Sequence, residues 1–386
     1  MKYDAIVIGA GSMGSATTYY LAKQGCRVLA LEQFNIGHDL GSAHGVNRII
    51  RLAYAEDPAY VPLLRRAYKL WRQMERVSKE RLLFITGGID AGPANGAIVQ
   101  GSLKSCRLHR LKHEQWDSKE LRRRVPGFHL PKGMMAVFQP DGGFLLSERA
   151  VIAYITAAQA LGAEIHARER VLRWEAERNR VVVHTERNSY AGARLVITAG
   201  AWASKLVHRL RKRRLAMPER QVLIWTQPRR PELFRLGVFP VFNMEAPEAN
   251  AMSRYYGFPI FGIPGFKLGK YHHRNEQVDP DRMDRECHSE DEAVLREAIQ
   301  RYFPDANGPT MAMKTCLFTN SPDEHFILDL HPDYPHVSIA TGFSGHGFKF
   351  ASVVGEIMAD FALAGQSRRF SDLSLFSISR RRTSIT

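Results

Sequence analysis

The sequence predicts an α/β fold: a Rossmann-like domain assembled from separate chain segments, with an inserted α+β domain that contains a mostly antiparallel sheet. Three observations support this prediction. A strand, a glycine-rich turn, a helix and a second strand follow one another within residues 4–32. A long apolar helix pattern follows a glycine-rich stretch near the end of the chain. The segments between these regions have a more β-like pattern.

The length and composition fit two globular domains. A chain of 386 residues is too long for one ordinary hydrophobic core. Hydrophobic residues make up 45% and charged residues 24%, as in ordinary globular proteins. No apolar run approaches the roughly 18–20 residues of a membrane span, and the N-terminal apolar run leads into a glycine turn rather than a cleavage site. We therefore expect a cytoplasmic protein without a membrane partner.

A β-α-β unit opens the chain. Residues 4–8 are a short apolar run, residues 15–24 have helical spacing that ends at Gly25, and residues 27–31 are a second apolar run. The glycine-rich turn between the first strand and the helix is typical of dinucleotide-binding domains. The unit therefore predicts a dinucleotide site.

Four residues of this unit predict how the dinucleotide is bound. Gly9 permits the tight turn, Gly11 lets the backbone approach the pyrophosphate, and Gly14 allows the helix to pack closely on the strand. The positive end of the helix dipole suits the diphosphate. Glu32, 18 positions beyond Gly14, can accept hydrogen bonds from ribose and would repel a 2′-phosphate. The motif does not distinguish NAD from FAD, since both bind to it.

Apolar periodicity predicts the remaining elements. Further helices are indicated at residues 60–77, 147–161, 292–302 and 348–364. Further strands are indicated at residues 83–89, 164–167, 181–185, 195–198, 221–226, 255–261, 327–330 and 337–341. The dinucleotide-binding domain is assigned to residues 1–85, 147–215 and 320–386, and the substrate domain to residues 86–146 and 216–319.

The chain is strongly basic, with a formal net charge of +15. Basic residues cluster at Arg209, Arg211, Lys212, Arg213 and Arg214, and again at Arg380, Arg381 and Arg382. Such clusters either bind nucleic acid or form a solvated face that draws anionic substrates. Because neither aromatic residues nor a nucleic-acid motif accompany them, we favour the solvated face.

The cysteines give no sign of a metal site. They lie far apart, at Cys26, Cys106, Cys287 and Cys316. No pair or Cys/His cluster has zinc spacing, and disulfides are unusual in a reducing compartment. We therefore expect no metal, and one thiol is a candidate for chemistry.

Six segments, taken in order, resemble the monomeric sarcosine oxidase and N-methyltryptophan oxidase family within the D-amino-acid-oxidase-like FAD oxidoreductases. They are IGAGSMGSA at 8–16, GSAHGVNRIIRLAY at 41–54, YYGFP at 255–259, KLG at 267–269, CLFTNSPDEHFILDLHP at 316–332 and GFSGHGFKFAS at 342–352. The resemblance implies that the dinucleotide is FAD. It also implies a monomeric oxidase that converts a secondary (N-methyl or cyclic) amino acid to an imine and reduces oxygen to hydrogen peroxide.

The resemblance implies further cofactor contacts. Cys316 holds the position of the cysteine that carries the flavin through a thioether in this family. Ser42 and Val171 match other cofactor-binding positions. The backbone around Gly345, His346 and Gly347 precedes the final helix, whose dipole would favour negative charge on the flavin pyrimidine ring.

The resemblance also assigns catalytic and substrate-binding residues. Arg48 and His44 match positions that face the flavin ring. Lys267 matches a lysine that holds a water near flavin N5 and assists the reaction with oxygen. Arg51 and Lys349 match the pair that binds the substrate carboxylate.

Three further residues are assigned to the substrate pocket. Tyr256 matches a residue over the substrate, and Asn243 stands where the family has an apolar methionine facing the amine. An extra residue, Lys270, shifts the register after KLG, so that either His272 or His273 is expected to line the pocket; we assign His272.

Two other departures bear on substrate choice. Phe318 stands where the family has a tyrosine, and the stretch at residues 248–254 is longer than in the family. The choice between sarcosine, N-methyltryptophan, pipecolate or proline, and larger N-alkyl amino acids therefore stays open. Two other functions also stay open: a flavin dehydrogenase with a different electron acceptor, which Lys267 disfavours, and a basic RNA- or membrane-binding flavoprotein.

Overall fold

The computed structural model describes residues 2–207, 210, 212, 214–247 and 252–380. Its helices are α1 Ser12–Lys23, α2 Tyr60–Ser78, α3 Ala97–His109, α4 Ser118–Arg124, α5 Ser147–Ala160, α6 Ala203–Leu206, α7 Ser289–Tyr302 and α8 Ala351–Ala364. Arg209, Arg211 and Arg213 of the first basic cluster, Arg381 and Arg382 of the second, and residues 248–251 lie outside the described residues. Among the described helices, none combines the length and apolar character that crossing a membrane requires.

Nineteen named strands in the described part of the chain form three sheets. They are β1 Tyr3–Ile8, β2 Val28–Leu31, β3 Asn47–Ile50, β4 Leu83–Ile85, β5 Gly88–Pro93, β6 Glu114–Asp117, β7 Met134–Gln139, β8 Gly143–Leu146, β9 Glu164–His166, β10 Val171–Glu177, β11 Arg180–Thr185, β12 Ser189–Ile197, β13 Met217–Thr226, β14 Val241–Pro247, β15 Met252–Phe258, β16 Phe266–Lys270, β17 Thr310–Asn320, β18 Ile327–His331 and β19 Tyr334–Thr341.

The first sheet has a parallel centre. Its strands run in the order β9, β2, β1, β12 and β19, with β18 antiparallel at the edge. The hairpin of β10 and β11 pairs antiparallel with the first half of β12. Helices α1, α5 and α8 pack together over one face. Strands covered on both faces need continuous apolar sequence, which explains the VLAL of β2.

The second sheet is antiparallel except at one pair. Its order is β17, β13, β16, β15, β14, β5, β7 and β6, and only β14 and β5 are parallel among these described strands. Buried aromatic residues pack beneath it, among them Phe128, Phe242 and Phe303. The predicted fold class, with a mostly antiparallel sheet in the inserted part, is confirmed.

The third sheet is short, and its strands come from three separate segments of the chain. It has the order β3, β8, β4. The single strand predicted at residues 83–89 is wrong, because β4 belongs to this sheet and β5 to the second one. Gly87 separates them with φ +76°, and a Cβ there would lie 2.6 Å from the ring of Phe138. Because of this φ and this close contact, the position needs glycine. The chain passes from the third sheet to the second sheet at this turn.

The two large sheets draw their strands from the segments assigned to the two domains. All strands of the first sheet lie in residues 1–85, 147–215 or 320–386. Those of the second lie in residues 86–146 and 216–319, apart from Asn320 at the end of β17. The third sheet combines β3 and β4 with β8 across the assigned boundary. The domain boundaries themselves stay a prediction.

Close packing between α1 and α8 places the final helix over the first sheet. A Cβ at Gly355 in α8 would lie 2.5 Å from Ala16 Cβ and 2.7 Å from its carbonyl carbon. Backbone atoms of α1 cannot rotate away as a side chain could. The contact therefore requires glycine in the middle of a helix, in spite of its low helix propensity.

We expect Gly355→Ala to lower the free energy of unfolding by about 1–3 kcal/mol through overpacking. This loss should exceed the gain of about 1 kcal/mol that alanine usually brings to a helix. Denaturant unfolding of the wild-type protein and the variant provides the measurement. An unchanged or increased midpoint would contradict the packing described here.

Candidate active site

A cleft opens where the parallel strands of the first sheet end. It encloses about 1630 Å³ of space, open solvent included. Its walls include the residues that follow β1, β2 and β12, among them Gly9, Glu32 and Thr198. Ligands of open parallel sheets bind at this edge because the strands end there in loops and helix N-termini.

The glycine turn has the geometry that the sequence predicts. Gly9 has φ +90°, and a Cβ on Gly14 would lie 1.7 Å from the Gly9 carbonyl oxygen. Gly14 thus packs behind the turn and does not line the cleft. A Cβ on Gly11 would meet no protein atom within 4 Å. Gly11 lines the cleft, so only a ligand would crowd a side chain at this position.

Other predicted cofactor residues also line this cleft: Glu32, Ser42, Val171, Gly345 and Gly347. The Glu32 carboxylate accepts hydrogen bonds from the backbone N–H groups of Ala10 and Phe34, at 2.9 and 3.0 Å. These bonds fix the carboxylate at the wall of the cleft, where its remaining lone pairs can accept hydrogen bonds from ribose hydroxyls.

A second, smaller cavity adjoins the cleft. It encloses about 450 Å³, and it shares Arg48, Phe318, Gly345 and Phe348 with the cleft. Predicted substrate residues line it: Arg51, Asn243, Tyr256 and Lys349. His346, predicted to contact the cofactor, lines this cavity and not the cleft. A ligand in the cleft and one in the cavity would therefore meet at the shared wall.

The smaller cavity is lined by residues of the second and third sheets and of the segment before the final helix. Arg48 lies on β3, and Arg51 follows directly after this strand. Asn243 on β14 and Tyr256 on β15 are directly paired across the second sheet. Lys349 lies in the short turn that precedes α8. The cavity thus forms where β3, the second sheet and the start of the final helix converge.

Arg51 lies in a buried ion network. Its Nη2 donates to both carboxylate oxygens of Glu56 at 3.0 and 3.1 Å, and its Nε lies 3.5 Å from Asp90. Arg254 Nη1 lies 3.8 Å from Glu56 on the other side. Burial opposes ionisation of Glu56, yet Arg51 and Arg254 outweigh it and lower the pKa of this carboxyl. Glu56 is therefore held ionised between two arginines.

Lys349 is the second cation at the cavity. Its Nζ donates to the His346 carbonyl oxygen at 2.6 Å. Burial, and next the neighbouring Arg51, lower the pKa of Lys349 to about 7. The ammonium therefore changes charge close to neutral pH, and an anion bound beside it would favour the protonated form.

Cys316 lies beside the shared wall, on β17. Its Sγ accepts a hydrogen bond from Arg48 Nη2 at 3.5 Å, and the following residues Leu317 and Phe318 line the cleft. Arg48 also donates to the carbonyl oxygens of Ser42 and Asn47, each at 2.9 Å. The thiol and a fixed guanidinium thus lie together at the edge of the cleft.

His44 is buried close to these residues. Burial, and next Arg48, lower the pKa of His44 to about 3, so its ring is neutral at ordinary pH. Neither ring nitrogen has a hydrogen-bond partner among the described residues. Buried polar atoms seldom stay unpartnered in a complete protein. His44 itself lines neither the cleft nor the smaller cavity, although its neighbour Ala43 lines the cleft.

Lys267 lies behind β3 and lines neither cavity. Its Nζ donates to the Gly45 and Asn47 carbonyl oxygens and to Asn47 Oδ1, at 2.6, 2.9 and 2.8 Å. The ammonium also lies 4.2 Å from the centre of the Phe258 ring. Burial, followed by Arg48, lowers the pKa of Lys267 well below its usual value. A water at Lys267 would have to replace one of these three acceptors.

The structure does not bring His272 to the substrate cavity. Its Nδ1 and Nε2 each lie 2.9 Å from a carboxylate oxygen, of Glu219 and Glu324 respectively. The two carboxylates raise the pKa of His272 to about 9. His273 is also outside the cavity, with Nε2 3.1 Å from Asp291. Tyr271 lines the cavity at this point of the chain.

Sequence reasoning missed four residues at or beside the cavity: Glu56, Asp90, Arg254 and Tyr271. Arg254 lies over the Tyr271 ring, with its guanidinium carbon 5.1 Å from the ring centre. One signal was available, because Asp90 is a lone acidic residue in the otherwise uncharged GIDAGP of β5. The other three give no local signal, because their positions depend on pairing between distant segments.

The residues present fit an FAD molecule. The glycine turn leaves open space at Gly11, and Glu32 lies at the wall of the cleft, where it can bind ribose. No group of three or more Asp, Glu, His or Cys side chains among the described residues could hold a metal ion.

Comparison with known proteins agrees with this fit. Monomeric sarcosine oxidase from Bacillus sp. (strain NS-129) is 41% identical over 381 residues, which cover 98% of this chain and 97% of that protein. N-methyl-L-tryptophan oxidase from Salmonella enteritidis is 34% identical, with 98% and 99% covered. The solved structure of NikD, an amino acid oxidase essential for nikkomycin biosynthesis, has the same fold, with a TM-score of 0.84, 22% identity and coverage of 99% and 98%.

The family description supports the same conclusion over most of the chain. Residues 4–361 match the FAD dependent oxidoreductases of the DAO type. The predicted family and the choice of FAD over NAD are thereby confirmed. The chain belongs to the DAO family of FAD dependent oxidoreductases.

Proposed function

We propose that the protein is an oxidase of a small secondary amino acid that converts its substrate to an imine and reduces oxygen to hydrogen peroxide. One observation carries the proposal: Arg51 and Lys349 line a cavity that shares a wall with the cofactor cleft. The names of the relatives support the substrate class, since they are oxidases of sarcosine and of N-methyl-L-tryptophan. Two buried cations beside a flavin site suit a substrate with a carboxylate.

The substrate carboxylate would bind between Lys349 and Arg51. Lys349 Nζ donates one of its three protons to the His346 carbonyl oxygen. Arg51 Nη1 donates one of its two protons to the Ala53 carbonyl oxygen. The remaining protons are available to an anion. Should the carboxylate also displace Glu56 from Arg51, Glu56 would keep Arg254 as a counter-ion. The network can therefore accept a substrate without leaving a buried charge unpaired.

Aromatic rings line much of the substrate cavity, at Tyr256, Phe258, Tyr271, Phe318 and Phe348. These rings would exclude water and hold the amine near the wall shared with the cleft, as a near-attack geometry requires.

Bound FAD would supply the redox chemistry, by accepting a hydride equivalent from the carbon next to the amine nitrogen and passing two electrons to oxygen. Water then hydrolyses the imine to an aldehyde and a primary amine. The role of this chain's residues is to hold the carboxylate, to exclude water and to surround the flavin ring with positive charge. Arg48 lines the shared wall and would supply part of that charge.

A covalent bond to Cys316 is also part of the proposal. Cys316 Sγ accepts a hydrogen bond from Arg48, and the next two residues, Leu317 and Phe318, line the cleft. The other three cysteines, Cys26, Cys106 and Cys287, have no chain neighbour that lines the cleft or the cavity. We further infer, from the monomeric sarcosine oxidases among the relatives, that the protein is a monomer.

We expect purified holoenzyme to oxidise sarcosine with one hydrogen peroxide formed per substrate. Lys267→Met should lower the rate of flavin reoxidation by oxygen by at least tenfold, because a developing superoxide anion favours the protonated form of a buried lysine and is stabilised by the ammonium. Anaerobic flavin reduction should be retained. Stopped-flow absorbance measures both steps. Unchanged reoxidation would remove Lys267 from this role, and substrate-dependent flavin reduction without peroxide in the wild-type protein would favour a dehydrogenase.

Acid precipitation tests the flavin linkage. We expect the yellow flavin colour to stay with the precipitated wild-type protein and to pass into the supernatant for Cys316→Ser. Cys287→Ser is the matched control, since this half-buried thiol lies outside both cavities and its loss should leave the linkage intact. Colour that remains with precipitated Cys316→Ser protein would place the bond elsewhere.

The binding of acetate should depend on pH through Lys349. The pKa of Lys349 is lowered to about 7, so its charge is present below this pH and lost above it. Acetate stays anionic from pH 6 to pH 9, and we expect its dissociation constant to rise about tenfold over this range. The change in flavin absorbance reports binding. Lys349→Gln should bind weakly and show no such rise, and a pH-independent wild-type constant would contradict this role.

A further inference from the structure

Hydrogen bonds and an ion pair connect four side chains at the polar wall of the substrate cavity. Three of them, Asn243, Asp90 and Ser102, have no role in the proposed function so far. Asn243 Nδ2 donates to Asp90 Oδ1 at 3.1 Å, and Ser102 Oγ donates to the other Asp90 oxygen at 2.8 Å. Arg51 Nε lies 3.5 Å from Asp90 Oδ1. All of these side chains are buried, and Asn243 and Arg51 line the cavity.

Hydrogen bonding to Asp90 fixes the orientation of the Asn243 amide. Burial raises the pKa of Asp90, while the Arg51 guanidinium and the hydrogen bonds from Ser102 and Asn243 act against this rise. One Asp90 oxygen accepts from Ser102 and the other from Asn243 Nδ2, so the amide directs its nitrogen to Asp90 and its oxygen away from it. Asn243 Oδ1 accepts a hydrogen bond from none of the described residues, and it is not sealed off from the cavity.

The position of Asn243 Oδ1 relative to Arg51 indicates which part of the substrate it faces. Arg51 binds the carboxylate in the proposed function, and Asp90 Oδ1 contacts both Arg51 and Asn243. The amine nitrogen of an α-amino acid is two bonds from the carboxylate carbon. A group placed one side chain from Arg51 therefore faces the region of the substrate amine.

We propose that Asn243 Oδ1 accepts a hydrogen bond from the substrate amine, and that Asp90 is the positioning residue that holds the amide in this orientation. This inference rests on the proposed function. It selects primary and secondary amines, which keep an N–H when neutral, over tertiary amines, which have none. A tertiary amine would leave the amide oxygen facing the cavity without a partner, at the cost of one hydrogen bond.

The discriminating measurement compares sarcosine with N,N-dimethylglycine in the holoenzyme. We expect the wild-type protein to have the higher kcat/KM for sarcosine. Asn243→Leu should lower the sarcosine to dimethylglycine ratio of kcat/KM by about 3- to 10-fold. If this variant does not fold, Asn243→Ala gives the same comparison. An unchanged ratio in the folded variant would overturn the inference.

Methoxyacetate serves as the control ligand, because it has the shape of sarcosine with an ether oxygen in place of the N–H group. It offers a carboxylate and no donor. Its dissociation constant, measured from the flavin absorbance, should change less than twofold in Asn243→Leu. A loss of methoxyacetate binding equal to the loss for sarcosine would show general damage to the cavity and would overturn the assigned hydrogen bond.

Asp90→Leu tests the positioning role in two backgrounds. If Asp90 acts through Asn243, this change lowers the ratio in the wild-type protein and leaves it unchanged when Asn243→Leu is already present. A merely structural role would not confine the effect on the ratio to one background. Equal effects in both backgrounds would overturn the role of Asp90.

Different results would overturn the proposed function and the role of Asn243. A wild-type holoenzyme that oxidises neither amine and does not bind methoxyacetate would overturn the proposed function and this inference with it. Oxidation of both amines with a ratio that does not respond to Asn243→Leu would overturn this inference alone.

Discussion

The site depends on the burial of three cationic side chains close to the wall between the two cavities: Arg51, Lys267 and Lys349. A buried charge costs several kcal/mol unless it is paired. Each cation is compensated differently: Arg51 by carboxylates, Lys267 by three oxygen acceptors, and Lys349 by a pKa that falls towards neutrality. The remaining excess of positive charge favours the two anions of the proposed reaction, the substrate carboxylate and the reduced flavin.

This arrangement explains why a short third sheet is needed between two large ones. Strand β3 carries Arg48, and the segment that follows it carries Arg51 and Glu56. β3 pairs with β8, while its Asn47 accepts two hydrogen bonds from Lys267 of the second sheet. The strand is therefore fixed from both sides. Arg48 therefore lies on a fixed strand, and Arg51 follows directly after it, which favours a precise position for both charges.

Three residues of the cavity wall differ from the pattern that the family resemblance implies. Asn243 and Phe318 stand where that pattern has a methionine and a tyrosine, and Tyr271 occupies the place expected for a histidine. Arg51 and Lys349 agree with the pattern. In the proposed function, carboxylate binding and selectivity between amines would therefore lie on different side chains.

The sequence by itself determined the β-α-β unit, the final helix and the residues that belong to contiguous motifs, because helix and strand periodicity and turn glycine act over a few neighbouring residues. The tertiary structure alone decided that residues 83–89 divide between two sheets, that His272 pairs with Glu219 and Glu324, and that Glu56 and Asp90 both contact Arg51. Strand register across a sheet and the pairing of buried charges depend on segments far apart in the chain. Their contacts form only when the three sheets meet, so no local pattern encodes them.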